Sequence, residues 1–276
     1  MNEMLATDTS IIGSPDAFGR LAISYDEDFE NLPASRRLRK LIWEIYLHHF
    51  SPGDSLLELN CGTGTDALTL AGNGINVHAT DISQGMLDAF HRKLSSSPAK
   101  DRITTGLLAF NQLPQLGGRT FDGVYSNMGG LNCESDLKRV AVDLHALIKP
   151  GGTFIGTFLG DKAVWEFLSF AARGNFRQAF RRRSRNGCMA NVGGVQVRTY
   201  YYSPEKVVKY FSSHFTKLML VGLNIFTPPP TSQGAYHALG KGMKLLEGID
   251  VAFMKRFPFN RIGDHFLIVL KHAGNA

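Results

Sequence analysis

The sequence predicts an α/β protein built on a parallel sheet, and three observations carry that prediction. Between residues 55 and 158 short apolar runs alternate with stretches of helical periodicity, the pattern of strands joined by right-handed helical crossovers. The breaks fall at turn formers such as Pro52-Gly53 and Lys149-Pro150-Gly151-Gly152. The chain has 276 residues, 43% hydrophobic and 20% charged, with mean hydropathy −0.09, enough apolar side chain to pack one large domain or two small ones.

Taken in order, Leu38, Leu41, Ile42, Ile45, Tyr46 and His49 recur at three- and four-residue steps and predict an amphipathic helix over 34–50, ended by Pro52-Gly53. The next hundred residues read as strand 55–60, helix 65–73, strand 75–80, helix 84–94, strands 102–108 and 121–126, helix 135–148 and strand 152–158. Beyond Gly160 the rhythm breaks. A basic helical stretch runs to about Arg185, and a Gly-rich turn leads to a strand over 195–202. Ser203-Pro204 opens a helix, a strand covers 215–226, and Thr227-Pro228-Pro229-Pro230 leads into a helical insert before the closing strand 265–271.

Charge is concentrated in one place. The net charge is +6, yet the segment from Gly160 to Tyr200 holds eight Lys/Arg against two acids and leaves the rest balanced at 22 against 22. The surplus centres on Arg173, Arg177, Arg181, Arg182, Arg183 and Arg185, so any electrostatic argument about partners concerns this stretch. No window approaches the roughly 18 unbroken apolar residues of a membrane-spanning helix. Met1–Ser10 lacks the progression of a signal peptide. Cys61, Cys133 and Cys188 are odd in number and widely spaced, which excludes a disulfide framework and a standard zinc site, so a reduced cytoplasmic protein with no bound metal is expected.

The most informative stretch is Leu56 to Asp66, LLELNCGTGTD: an apolar strand with an acid near its end, then glycines at Gly62 and Gly64 opening a helix. Glycine permits positive φ and close backbone approach to a ligand, and the helix N-terminus presents free N–H groups. The following strand ends in Asp81, placed to accept hydrogen bonds from a ribose diol. The glycine pattern alone would also suit a nicotinamide-binding turn. Glu58 upstream, where a carboxylate would receive an ammonium, Phe121-Asp122-Gly123-Val124 opening a fourth strand, and Leu147-Ile148-Lys149-Pro150-Gly151-Gly152 turning into a fifth tip the choice. In this order and spacing the segment resembles the class I S-adenosylmethionine-dependent methyltransferases that act on small molecules, from about Phe18 to Lys271.

The resemblance implies a single Rossmann-like domain over 1–276, with a seven-stranded sheet that is mostly parallel, an antiparallel last strand, helices on both faces and helical caps. Its parts would be an N-terminal cap over 16–50, a cofactor-binding core over 54–159, a cap insert over 160–195, and a C-terminal part over 196–271 carrying a second cap insert over 227–262. The cofactor is S-adenosylmethionine. Glu58, Asn60, Gly62 and Gly64 match the turn that holds its methionine end, Asp81 the ribose acid, and Ile82 the neighbour of the adenine. Asn60 replaces the usual first glycine and tolerates the left-handed region. Ala109 stands where the family commonly has an acid against the adenine amine, so that contact passes to the Phe110 backbone or to Asn111. Met86 reads as an adenine neighbour or a core contact, and Cys61 as a buried filler. Phe18, Ala22, Tyr25 and Asp26 resemble the N-terminal FxxxAxxYD segment that folds over the pocket, and Tyr25 counts with the cofactor contacts.

In an open parallel sheet ligands bind beyond the carboxyl ends of the strands. The loop Ser126 to Cys133 after the fourth strand then passes beneath the methyl group, with Ser126 among the cofactor contacts, and both inserts cap the site. Candidate bases for an oxygen acceptor are Tyr25, His145, His214, His237 and His265. His145 and His214 read as structural, leaving His265, His237 and Tyr25. Trp165, Phe167, Phe170, Phe226 and Phe253 suit either a greasy acceptor pocket or packing of the caps. The arginine run suits an anionic or carrier-bound acceptor, a peripheral membrane contact, or a solvated helix face. The loop after the fourth strand lacks the Pro-Pro tetrapeptide with which amino-methylating DNA enzymes grip a base, which disfavours nucleic acid. The function expected is methylation of a small biosynthetic intermediate, at O or N in preference to C of a quinone or lipid. A non-catalytic cofactor-binding protein is the remaining alternative.

Overall fold

A computed structural model describes residues 18, 19 and 21–274 apart from Arg185, Gly193, Gly194 and Thr231. The segment Met1–Ser10, the start of the N-terminal cap at 16 and Arg185 of the arginine run lie outside the described residues. Pro33 in the first turn, where its missing N–H costs no hydrogen bond, and the buried stripe Leu38, Ile42, Ile45 and Tyr46 make helix α1 (Pro33–His49). The alternation that follows is realised as β1 (Ser55–Leu59), α2 (Thr65–Gly72), β2 (Asn76–Asp81), α3 (Gln84–Ser95), β3 (Ile103–Leu107), β4 (Phe121–Ser126), α4 (Leu137–Leu147) and β5 (Ile148–Leu159). Ser83 caps α3 through a hydrogen bond that its Oγ accepts from Met86 N, and Asp136 caps α4 by accepting from Arg139 N.

The remaining elements are α5 (Val164–Ala172), α6 (Phe176–Ala179), a 3₁₀ turn at Arg181–Arg183, β6 (Cys188–Val192), β7 (Val195–Thr199), α7 (Pro204–Phe211), β8 (Phe215–Leu223), α8 (Gln233–Leu239), α9 (Gly242–Phe253) and β9 (His265–His272). Seven strands form one sheet in the order β3-β2-β1-β4-β5-β9-β8. The first five are mutually parallel, and β9 runs antiparallel between β5 and β8. One core packs α1, α2 and α3 on one face through residues such as Ile42, Leu70 and Phe90, and the other packs α4 and α7 through Leu144, Val207 and Phe211.

One expectation is corrected. The strand expected over 195–202 stops at Thr199 and pairs with β6 in a separate antiparallel hairpin, not with the sheet. β6 occupies the stretch expected to be a Gly-rich turn. The excursion that carries this hairpin leaves and returns at one point. Gly160 bridges Tyr202, Asp161 N donates to the Tyr202 carbonyl at 3.2 Å, and Tyr202 N donates to the Leu159 carbonyl at 3.4 Å.

Candidate active site

The carboxyl ends of β1, β2, β4 and β5 and the start of β9 meet at one edge of the sheet, and over them lies a cavity of about 1650 Å³. Its floor begins with the turn after β1. Asn60, Gly62 and Gly64 all have positive φ, 50°, 55° and 80°. The Asn60 side chain accepts from Ser126 Oγ at 2.6 Å and donates to the Asn127 carbonyl at 2.9 Å, which ties the β1 turn to the loop after β4.

The two glycines do different work. A Cβ on Gly62 would meet nothing within 4 Å, so that backbone faces open space along the cavity. A Cβ on Gly64 would lie 2.1 Å from the Phe90 ring, so Gly64 is required by the packing of α2 on α3 and does not line the cavity.

Asp81 lines the cavity at the end of β2, and its two oxygens accept from Gly62 N and Ser83 N, each at 2.8 Å. Burial raises its carboxyl above the usual range, a shift these N–H groups partly offset. Ile82, Met86, Phe110 and Asn111 line the same end. Tyr25 also lines it, beside Phe29, and Asp26 locks the N-terminal segment down: its carboxylate accepts from Thr63 Oγ1 at 2.6 Å and pairs with Lys93 Nζ at 2.9 Å.

Glu58 is placed differently from the expected ammonium receiver. It is 2% exposed, lies outside the cavity lining, and its Oε2 has no hydrogen-bond partner among the described residues. Burial, reinforced by the nearby Asp66 charge, pushes its carboxyl well above the usual range beneath the floor. Strand alternation turns Glu58 toward the α1 face, away from the leucines on either side of it. Asp66, by contrast, is a buried acid that does line the cavity; it accepts from Arg39 at 2.6 Å, Trp43 at 2.7 Å and Asn127 at 2.8 Å. The resemblance did not mark Asp66, although its place two residues past Gly64 in the first turn of a helix was a signal for it. Ser126 is fully buried on Asn60 and does not reach the cavity.

At the other end the cavity is covered by the inserts. Trp165 and Phe170 of α5, Phe226, Pro229 and Pro230 line it. Phe167 and Phe253 do not: Phe167 packs on Phe180, and Phe253 on Phe226 and Phe259. Among the five candidate bases, His265 and Tyr25 reach the cavity. His237 is exposed on α8 and stands outside the lining. His145 and His214 cluster with His272, at ring separations of 4.5 and 4.2 Å from His145, at the opposite end of the sheet.

His265 is 7% exposed, with Nδ1 2.8 Å from Asp264 Oδ2. Arg182 holds the other carboxylate oxygen at 2.6 Å, donates to the carbonyls of Gly160 and Asp264, and reaches Glu166 at 2.7 Å. Burial alone would raise the Asp264 carboxyl, but the Arg182 guanidinium and the adjacent His265 outweigh it and hold it well below the usual range. Arg181 binds Glu166 through two hydrogen bonds of 2.8 and 2.9 Å. The arginine run is therefore not a uniform solvated face: Arg182 is buried, and Arg181 is neutralised by Glu166. Burial pushes the Cys133 thiol up to about 11 and raises that of Cys61, so neither lining thiol is a ready thiolate nucleophile. No group of three metal-ligating side chains occurs among the described residues.

Residues 56–152 match the family described as a methyltransferase domain. The strand order, with β9 antiparallel beside β5, is that of the class I enzymes of this kind. Residues 56–152 thus carry a methyltransferase domain, set in a Rossmann-like methyltransferase fold.

Among curated relatives, the chain is 35% identical over 150 residues to a demethylmenaquinone methyltransferase from Symbiobacterium thermophilum, covering 51% of this chain and 56% of that one. The chain thus spans little more than half of that relative. Among solved structures it resembles the CcbJ methyltransferase from Streptomyces caelestis, with TM-score 0.61, 19% identity, and 94% and 98% of the two chains covered. It also resembles DhpI in complex with SAH, with TM-score 0.61, 14% identity, and 98% and 100% covered. At these identities the structural likeness concerns the fold. The family's cofactor is S-adenosylmethionine, and the residues present fit it: a left-handed turn with Gly62 open to the cavity, a carboxylate at the end of β2, and a cavity with apolar walls. Among the described residues no helix is long and apolar enough to cross a membrane.

Proposed function

We propose that this methyltransferase moves the methyl group of S-adenosylmethionine to an oxygen or nitrogen of a small-molecule acceptor, free or carried. The observation that supports this most is that one cavity is lined both by the Asn60–Gly62 turn with Asp81 and by His265 backed by Asp264. The bound cofactor supplies a methyl group activated on a sulfonium. Asp81, with lone pairs left over after its two backbone bonds, accepts hydrogen bonds from a vicinal diol. Tyr25 and the Asp26 clamp close the N-terminal segment over the same end.

Transfer of this kind is an in-line displacement, so positioning supplies much of the rate. The proton of an O–H or N–H acceptor goes to His265, and the Asp264 carboxylate, 2.8 Å from Nδ1, stabilises the resulting imidazolium. In the same division of labour, residues 54–159 bind the cofactor, and the inserts over 160–195 and 227–262 enclose the acceptor and exclude water. The three cysteines, none paired with another, suit a reducing compartment such as the cytoplasm.

Calorimetric titration with S-adenosylhomocysteine, followed by assays with methyl-labelled cofactor against metabolite pools, tests the proposal. Binding of S-adenosylhomocysteine is expected, with labelling of an acceptor lost in His265→Ala while that binding persists. Failure to bind S-adenosylhomocysteine would remove the cofactor assignment, and full transfer by His265→Ala would remove the base. A second reading, methylation at a ring carbon of a quinone-like acceptor, is favoured by the likeness to the demethylmenaquinone enzyme, and the site of label in the product decides between them.

A further inference from the structure

The cavity is larger than one ligand needs. Its volume of about 1650 Å³ exceeds the roughly 300–1,000 Å³ usual for a small-molecule site, so an acceptor with a sizeable body has room beside the cofactor. The half under the inserts is walled by apolar side chains, among them Trp165, Leu168 and Phe170 of α5, Met189 and Val197 of the hairpin, and Ile225 after β8.

Charge in that half divides into two groups. Arg181, Arg182, Glu166 and Asp264 cancel one another through contacts of 2.6 to 2.8 Å. Arg173, just past α5, and Arg198, on β7, are exposed at the lining, and neither has a carboxylate within 4.0 Å among the described residues. Arg198 makes one long hydrogen bond, from Nη1 to the Asn186 carbonyl at 3.5 Å. The carboxylates left on the lining belong to other walls: Glu134 follows β4 and accepts from Asp136 N, Asp66 is bound by Arg39, and Asp81 is on the cofactor floor. On the same lining Leu168 and Met189 are 57% and 50% exposed, and Met189 is the cross-strand partner of Arg198. Apolar surface and guanidinium with no carboxylate partner among the described residues therefore both lie on the insert side of the cavity.

We propose that the acceptor is an amphiphile, with an apolar body under α5 and the hairpin and a carboxylate or phosphate at the rim held by Arg173 and Arg198. This rests on the methyl-transfer reading for the position of the cofactor. The arrangement separates two costs. A guanidinium at a rim stays hydrated while the site is empty, whereas a cation in the depth of an apolar cavity would need a buried partner. Guanidinium also offers paired donors matched to both carboxylate and phosphate oxygens. The deep charged cluster, already neutral, then serves His265, and the rim serves the anion.

The test is calorimetry with dodecanoate, dodecyl phosphate and dodecanol below their aggregation limits, with and without saturating S-adenosylhomocysteine. At least one anion is expected to bind about tenfold or more tighter than dodecanol, the scale of one charge-assisted contact; which of the two anions does so tells carboxylate from phosphate. The double variant Arg173→Gln, Arg198→Gln should erase that preference while leaving dodecanol and S-adenosylhomocysteine affinities within about twofold, as for surface changes elsewhere. Equal binding of all three probes, binding of none, or an anion preference that survives the double variant would overturn the proposal. Loss of S-adenosylhomocysteine binding by the unaltered protein would instead strike the methyl-transfer reading, because the anion preference is read separately without it.

Discussion

The floor of the cavity and its cover are built by different means. On the floor, positive-φ residues and strand ends fix the backbone, with Asn60, Ser126 and Asn127 stitching adjacent loops. Under the inserts the order comes from buried charged side chains, above all Arg182 with Glu166 and Asp264. A floor set by main-chain geometry should fail through sterics, and a cover set by buried charge should fail through loss of a single ion.

The largest effect is expected in the cover. Arg182→Met leaves Asp264 buried without its guanidinium and removes one of the two cations on Glu166, which costs about 3–5 kcal/mol. Hydrogen exchange should show the segment 160–199 opening while S-adenosylhomocysteine affinity stays within about twofold. Unchanged exchange there would mean that the charge cluster does not hold the insert. Neutralising Arg181, Arg182 and Arg183 together is consequently not a mild surface change.

On the floor the two glycines should separate. Gly64→Val drives a side chain into Phe90 at φ 80°, a loss of about 2–4 kcal/mol from overpacking and left-handed strain together, visible in urea unfolding. Gly62→Val meets open space, so it should lose only about 1–2 kcal/mol, from left-handed strain at φ 55°, together with S-adenosylhomocysteine binding. If both unfold alike, the contrast between packing glycine and ligand-facing glycine is wrong. Asp81→Ala should weaken S-adenosylhomocysteine by about 1.5–3 kcal/mol, the scale of lost hydrogen bonds to a charged group, read by calorimetry.

The smallest effect concerns Glu58. Its folded-state carboxyl is raised, so the folded protein keeps a proton that the unfolded chain releases above about pH 4.3, and stability falls as pH rises through that window. Glu58→Gln removes the titration. It should match the parent near pH 4 and exceed it at pH 8 by on the order of 1 kcal/mol, or about 2–4 °C in Tm for a domain of this size. A parent more stable than the variant at pH 8 would show Glu58 working as a charged group.

The same contrast explains what could be read in the sequence. The five parallel strands and the floor were legible because each strand is a local apolar run and the turn is spelled by consecutive residues, Asn60 to Gly64. The hairpin was not. Cys188-Met189-Ala190-Asn191-Val192 has little strand propensity, sits between glycines, and finds its order by pairing with β7. Arg182 looks like its neighbours Arg181 and Arg183, and its burial depends on an acid 82 positions later. Glu58 carried the right residue type, yet the face it takes follows from the pleat and the packing of α1, which the motif does not record.

The closed base of the 160–202 excursion, where Gly160 bridges Tyr202, has an evolutionary consequence. A chain that departs and rejoins at touching residues could pass from β5 toward α7 without the intervening segment, and lengthening such an excursion costs only about 0.6 kcal/mol per doubling. The segment can be exchanged, shortened or enlarged with no change in strand register. Descent can thus keep one cofactor floor while trying many acceptors, each brought in by a different stretch of chain grafted at the same two residues.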